Sequence, residues 1–159
     1  MIFSKARGGG DGVGVTRVGK GLKIVVPVDA RGPPVAVNTA RAGAHESKLV
    51  QRIFDFMLTQ QTRPRVIGDK AYDCEKLDAE LADRGVELTA PHCANRKSEN
   101  VTQDRGLLQG YRRRWKVERS IAWIQSFRRL CIRWERSTML FQGFLHLRCT
   151  QFLLRPIMG

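Results

Sequence analysis

Two carboxylates sit where carboxylates do chemistry. Asp69 follows directly on the apolar run Arg65-Val66-Ile67-Gly68, and Glu118 lies inside the dense basic stretch Tyr111-Arg-Arg-Arg-Trp-Lys-Val-Glu-Arg-Ser120. Acids at the ends of strands are where α/β sheets gather ligands. Two or three that converge bind a pair of magnesium ions, which activate a water or hydroxyl and stabilise the leaving oxygen of a phosphodiester. Arg114, four residues before Glu118 and so about one helical turn away, is placed to steady that carboxylate or a phosphate. Each acid also has a plain structural reading. Asp69 suits a turn or a helix cap, and Glu118 suits an ion pair with arginines at helical spacing. Residue type and spacing leave both readings open.

The charge balance narrows the partner. With 28 Lys and Arg against 15 Asp and Glu, the formal net charge is +13, which favours a polyanion, most often nucleic acid, over a small-molecule substrate. A packaging or ribosomal protein shares that balance, so charge alone does not imply catalysis. Cys74, Cys93, Cys131 and Cys149 have no close pair and no ligand-like spacing with His45, His92 or His146, which argues against structural zinc and fits reduced thiols in a cytosolic protein. His92 and Cys93 are adjacent, and neighbouring side chains in an extended segment point apart, so they do not form a nucleophile pair. Gly19-Lys20-Gly21 lacks the strand and the Lys-Ser/Thr ending of a phosphate loop. No signal-peptide core opens the chain, and His146, Arg148 and Arg155 interrupt the apolar stretch 139–158, which reads as a buried helix and not a membrane span.

One domain, or most of one, fits 159 residues, and 42% apolar residues supply a core. Residues 5–21 are glycine-rich and basic and read as a turn or mobile loop. Leu22 to Val28 and Val35 to Asn38 flank the turn cluster Asp29 to Pro34, predicting a hairpin. Leu49, Val50, Ile53, Phe54 and Met57 predict a helix over 47–59, and Arg65 to Gly68 a short buried strand. A helix over 74–84 stops at Gly85, and Val86 to Thr89 is a further strand. After the polar stretch 91–110, one long helix is expected over 111–130. At about 100° per residue, Tyr111, Arg114, Glu118 and Gln125 share one arc of it, beside an apolar stripe of Val117, Ile121 and Ile124. A closing helix over 138–154 is expected to do nothing but pack. Strands and helices in this order indicate an α/β sheet.

Asp69-Lys70-Ala71-Tyr72, together with the spacing of Tyr111, Arg114 and Glu118, resembles the DDE transposases of bacterial insertion sequences, in the group with a ribonuclease-H-like catalytic domain. A looser likeness runs from Lys5 to Arg155 and includes the glycine-rich turn, the Asp29 hairpin, and Pro91-His92 leading to Asn95-Arg96-Lys97. The resemblance implies that Asp69 and Glu118 are the second and third metal-binding acids, holding Mg2+ or Mn2+. It implies metal-dependent hydrolysis at transposon ends followed by attack of the freed 3′ hydroxyl on target DNA. Implied partners are transposon-end and target DNA and a homodimer acting on paired ends, in a cytoplasmic, nucleoid-associated protein without a membrane. Arg96, Lys97, Arg112, Arg114, Lys116, Arg119 and Gln125 are the candidate DNA contacts; Arg112, Lys116 and Arg119 are expected on one helical face with Trp123.

Two departures from the family pattern matter. Gln125 stands where the motif usually has a lysine, and it can hydrogen-bond to DNA without neutralising a phosphate. The first catalytic aspartate belongs on a strand ahead of the glycine-rich turn, where residues 1–6 carry no acid, and neither Asp11 nor Asp29 occupies that place. The expectation is therefore a single, N-terminally truncated catalytic domain over 1–159, an incomplete ribonuclease-H-like α/β fold with a mixed sheet flanked by helices. It would be an element remnant or one product of a split reading frame, with an upstream half as partner, binding metal weakly and inactive alone. Two other classes compete: a non-catalytic basic nucleic-acid-binding protein in which Asp69 and Glu118 are structural, and an inert fragment with an exposed strand edge.

Overall fold

A computed structural model of the chain describes residues 2–5, 10–45, 49, 50, 53, 65–92 and 107–158. In chain order the strands are β1 (Ile2–Ser4), β2 (Gly14–Thr16), β3 (Gly19–Val25), β4 (Asn38–Arg41), β5 (Arg65–Ile67), β6 (Glu87–Thr89) and β7 (Ile132–Arg133). The helices are α1 (Glu75–Ala82), α2 (Trp115–Gln125), α3 (Arg128–Cys131) and α4 (Thr138–Met158), with 3-10 segments at Lys70–Tyr72 and Leu107–Arg114. There are two compact units, one of Met1–Thr59 with Lys116–Gly159 and one of Gln60–Trp115.

The first unit is built on a mixed five-stranded sheet. β3 is its centre, antiparallel to β1 (Ile2 opposite Leu22), to β2 (Val15 opposite Lys20) and to β4 (Leu22 opposite Arg41 through Val25 opposite Asn38). β1 also runs parallel to β7, pairing Phe3 with Ile132 and Ser4 with Arg133. Ile2, Leu22, Val26 and Val37 from the sheet side meet Ile124, Leu130, Phe141, Leu145 and Cys149 from the helices in one buried cluster. Phe141, Leu145 and Cys149 recur every four residues, so they form one inward stripe of α4. Trp123 of α2 meets Phe152 of α4 edge to face at 4.5 Å, and the Arg148 guanidinium lies 3.5 Å from the Trp123 ring centre.

Several sequence expectations change here. The Asp29 hairpin forms, but its second strand begins at Asn38. Proline supplies no N–H to a ladder, and with Pro27, Pro33 and Pro34 in the connection an isolated bridge between Val28 and Pro34 closes it. The glycine-rich segment is no simple loop, because its described part includes β2 and the start of β3. The single helix expected over 111–130 is three pieces. Ser126 Oγ (2.7 Å) and Arg148 Nη2 (3.5 Å) both donate to the Trp123 carbonyl, and the Phe127 N–H bonds to Ile124 instead (3.3 Å), so the α-helical ladder ends and Phe127 turns extended. Of the apolar stripe, Ile124 is fully buried while Val117 and Ile121 are partly so. α4 is not pure packing either, since Leu140, Leu147 and Leu154 are exposed along it. In the helix expected over 47–59, residues 49, 50 and 53 are helical and the remainder lies outside the described residues. Among the described residues, no helix is long and apolar enough to cross a membrane.

In the second unit β5 and β6 pair in parallel, Arg65 opposite Glu87 through Ile67 opposite Thr89, with α1 between them in sequence. Parallel neighbours need such a crossover. Leu77 and Leu81 of α1 and the adjoining Val86 are buried. Gly85, at a φ of 70°, ends the helix, its N–H and that of Val86 taking the Ala82 and Leu81 carbonyls. β5 is not the buried strand expected: Ile67 is 44% exposed.

One buried charge fastens the first unit. The Arg133 side chain is fully buried, and its guanidinium donates to the Glu135, Asp11 and Arg136 carbonyls (2.8, 2.8 and 2.7 Å) and to the Asp11 carboxylate (3.0 Å). Asp11 in turn caps α4, its Oδ1 accepting from the Thr138 N–H at 2.6 Å and its carbonyl from the Thr138 hydroxyl at 2.7 Å. Gly10 and Gly12, at φ of 73° and 69°, let the chain make that turn. Arg133→Met removes the guanidinium and leaves the Glu135, Asp11 and Arg136 carbonyls without their donor, so urea unfolding should show a loss of about 1–3 kcal/mol; a loss within about 0.5 kcal/mol, the size of an ordinary surface change, would contradict this role.

Asp11 also gives the unit a pH dependence. Desolvation raises its carboxyl, but the bonds from Thr138 and the Arg133 guanidinium outweigh that and hold it below the usual carboxylate range. A carboxyl with a lowered folded value stabilises above its unfolded value of about 4 and loses that contribution as pH falls through the folded value. Between about pH 5 and pH 2, the melting temperature of the wild type should therefore fall more steeply than that of Asp11→Asn; parallel curves would remove Asp11 from the account.

Candidate functional site

Asp69 is positioned by its neighbours on both sides. The Gly68 N–H donates to the Thr89 carbonyl at 2.9 Å, carrying the β5–β6 ladder one residue past Ile67. Asp69 then leaves the ladder in an extended conformation and caps the 3-10 turn Lys70–Tyr72, its Oδ1 accepting from the Lys70 N–H at 2.6 Å. Tyr72 folds back over Gly68, where an added Cβ would stand 3.0 Å from the ring. The Asp-x-small-aromatic pattern thus has a local cause: the aromatic ring packs on the glycine before the acid, and the turn between them aims the carboxylate. Asp69 is therefore the capping aspartate of its plain reading and also an exposed acid at a strand end, 52% of its side chain open to solvent.

Arg114 faces that acid. Its Nη1 lies 3.4 Å from Asp69 Oδ2 and donates to the Tyr111 hydroxyl at 2.7 Å, with the guanidinium carbon 5.5 Å from the Tyr111 ring centre. Tyr111 and Arg114 lie on the 3-10 segment Leu107–Arg114, and in a 3-10 helix residues three apart eclipse one another. Gly110 brings this segment down on β5, since a methyl there would collide with Ile67 Cδ1. The sequence placed Tyr111 and Arg114 on one arc, but of an α-helix shared with Glu118. It gave no hint that Arg114 turns to Asp69.

A further pair was invisible in the sequence. Asp73, ending the 3-10 turn, meets His92 Nδ1 at 3.1 Å, and both side chains are largely buried. This ties the turn after Asp69 to the chain leaving β6. No periodicity relates residues so far apart, and only the parallel pairing of β5 with β6 brings them together.

Glu118, Lys116, Arg119 and Gln125 belong to α2 in the first unit. Glu118 is exposed and Gln125 half-buried. The neighbours of Glu118 are fixed on the Asp29 turn. Lys116 Nζ donates to the Ala30 carbonyl, Arg119 Nη2 to the Arg31 carbonyl (3.3 Å) and Ser120 Oγ to the Gly32 carbonyl (2.6 Å). Asp29 shapes the receiving turn by accepting from the Arg31 and Gly32 N–H groups at 2.6 and 2.8 Å. Gly32 has a φ of 112°, and a Cβ there would stand 2.9 Å from Arg119 Nη2. Lys116 and Arg119 thus each have a donor on a turn carbonyl. Arg112 is exposed on the 3-10 segment and does not share an α-helical face with them, which corrects the expected common face with Trp123. Arg96 and Lys97 lie outside the described residues.

Oxygen donors of hard character are what a magnesium-like ion takes, and Asp69, half exposed with Oδ1 engaged by a backbone N–H, fits that chemistry. Among the described residues no three His, Cys, Asp or Glu side chains cluster as metal ligands. Strand β1 reads Ile-Phe-Ser and adds no acid. Cysteine chemistry is not on offer at Cys149, where burial pushes the thiol up to about 11 with Arg148 pulling only partly against it.

Comparison with known proteins gives the same direction. The family model described as "Transposase DDE domain" matches residues 13–153. Over 141 residues the chain is 34% identical to a protein of Burkholderia cepacia assigned as the transposase for insertion sequence element IS402, covering 84% of this chain and 63% of that relative. Over 91 residues it is 34% identical to a Brucella ovis protein assigned as the transposase for insertion sequence element IS6501, covering 57% of this chain and 67% of that protein. The chain thus spans a little under two thirds of the Burkholderia relative. No solved structure matches it. On the family match and these relatives, the chain belongs to the DDE transposases of bacterial insertion sequences.

Proposed function

We propose that this chain acts in DNA transposition as part of a transposase catalytic domain, with Asp69 and Glu118 as metal-binding acids on a ribonuclease-H-like fold. The observation that carries the reading is Asp69 itself, an exposed carboxylate just past the end of β5, fixed by the Lys70 N–H and faced by Arg114, inside a family match that covers most of the chain. The relatives are assigned as transposases, and a charge of +13 suits DNA.

Asp69 and Glu118 would hold Mg2+ or Mn2+, which when bound supplies a Lewis acid at the scissile phosphate and a more acidic water. Arg114 turns to a phosphate oxygen, a role suited to its planar, charge-assisted donors. Arg112, exposed beside it, Lys116 and Arg119 on α2, Gln125 at its end, and Arg96 and Lys97 add contacts to the backbone of transposon-end DNA. A homodimer would bring further groups to the DNA. The competing reading is a basic nucleic-acid-binding protein without catalysis, in which Asp69 serves only as the cap of the Lys70–Tyr72 turn.

Binding to a duplex carrying the element's ends separates the two. In EDTA, affinity should fall linearly on a log–log plot against salt, by about 0.9 for each phosphate neutralised. Magnesium should then add affinity that both Asp69→Ala and Glu118→Gln remove. Glu118→Gln in EDTA should bind slightly tighter than wild type, by up to about five-fold, because a carboxylate facing phosphate repels it by about 1 kcal/mol in water. Affinity indifferent to magnesium and to both substitutions would establish the non-catalytic reading. Manganese-dependent strand cleavage should be slow and absent in Asp69→Ala, and turnover that survives this substitution would remove Asp69 from the site.

A further inference from the structure

The two oxygens of Asp69 are held unequally. Oδ1 accepts a short bond from the Lys70 N–H at 2.6 Å, while Oδ2 faces Arg114 Nη1 at 3.4 Å, longer than the roughly 2.7–2.9 Å of a tight charge-assisted bond. The firmer hold on Arg114 comes from Tyr111, whose hydroxyl accepts at 2.7 Å and whose ring lies under the guanidinium. Both members of the Asp69–Arg114 pair are about half exposed, at 52% and 44% of the side chain. Exposed pairs of this kind are weak, equivalent to up to about a five-fold change in an equilibrium.

A cation arriving at Asp69 meets one oxygen already committed to a backbone N–H and another neutralised by a guanidinium. The second is the oxygen that can be exchanged. Because Arg114 and Tyr111 eclipse one another on the 3-10 segment, Arg114 can leave the carboxylate without losing its seat on the tyrosine.

We propose that Arg114 is a resident counter-ion of Asp69, competing with the divalent cation for Oδ2, and that Tyr111 retains it so that it turns to a phosphate once the carboxylate is taken. Arg114 is then a positioning residue whose hold on Asp69 and whose hold on a phosphate exclude each other, and metal loading and phosphate grip are coupled through it. This rests on Asp69 being a metal-binding acid. The sign is opposite to that of an arginine that merely organises the carboxylate, whose removal would weaken metal binding.

Manganese titration of the full chain, followed by the loss of the free-ion electron paramagnetic resonance signal, reads that sign. Arg114→Ala and Arg114→Gln should each bind Mn2+ tighter than wild type, by about two- to five-fold, whereas Arg114→Lys, which keeps the charge, should stay near wild type. Binding of a short duplex gives the second readout. Adding Mn2+ should steepen the salt dependence of the wild type by about one phosphate contact, and in Arg114→Ala and Tyr111→Phe this gain should be lost or reduced. Unchanged or weaker Mn2+ binding in both truncations would overturn the counter-ion proposal while leaving Asp69 a ligand. Wild-type Mn2+ affinity in Asp69→Ala would overturn the reading of the site and the proposal with it. Arg114 is exposed, so far-UV circular dichroism should be unchanged in its variants.

Discussion

The first unit depends on one buried cation. Arg133 ends the short strand β7, and its guanidinium reaches the glycine-rich turn at Asp11 and the segment leading into α4 at Glu135 and Arg136. A charge wholly removed from water persists only when its donors are met, and here two consecutive carbonyls, one more from the turn and a carboxylate meet them. Because Asp11 also caps α4, the same group sets where the helix begins. Strand β1, parallel to β7 on one side and antiparallel to β3 on the other, joins this clamp to the centre of the sheet. The glycines serve the clamp, since only a chain with positive φ at Gly10 and Gly12 brings the Asp11 carbonyl and carboxylate to one guanidinium.

The second unit uses the same chemistry at an exposed position with the opposite outcome. Asp69 and Arg114 form an ion pair in water, where Coulomb attraction is small and side-chain entropy opposes it. Such a pair contributes little to stability. It leaves a carboxylate whose partner can be exchanged, which is what a site for a hard cation and a phosphate needs. Local packing keeps the exchange in place, with Tyr72 over Gly68, Gly110 against Ile67, and Tyr111 under Arg114.

Much of this was legible in the sequence, and what was not has physical causes. Asp69 at a strand end, α1 stopping at Gly85, the Asp29 hairpin and the apolar position Ile124 all follow from local patterns of period and turn chemistry. The long helix over 111–130 does not, because the side chains that take the Trp123 carbonyl come partly from α4, and a tertiary hydrogen bond leaves no trace in a helical periodicity. Arg133 was not singled out in the sequence, because nothing in its spacing separates a fully buried guanidinium from its solvated neighbours. Asp11 was weighed only as a missing catalytic acid; its role as a cap appears once β1 and β7 are paired. For Arg114 no helical spacing pointed to Asp69, because the 3-10 turn that rotates it there is not part of an α-helical periodicity.

The central proposal is that Asp69 is a metal-binding acid, and iron-directed cleavage tests it most directly. Fe2+ bound in place of magnesium, with ascorbate and peroxide, generates hydroxyl radicals that cut the backbone beside the ion's ligands. The account predicts cuts next to Asp69, suppressed by excess Mg2+ and absent in Asp69→Ala. Cleavage that misses Asp69, or that is unaffected by Asp69→Ala, would contradict it.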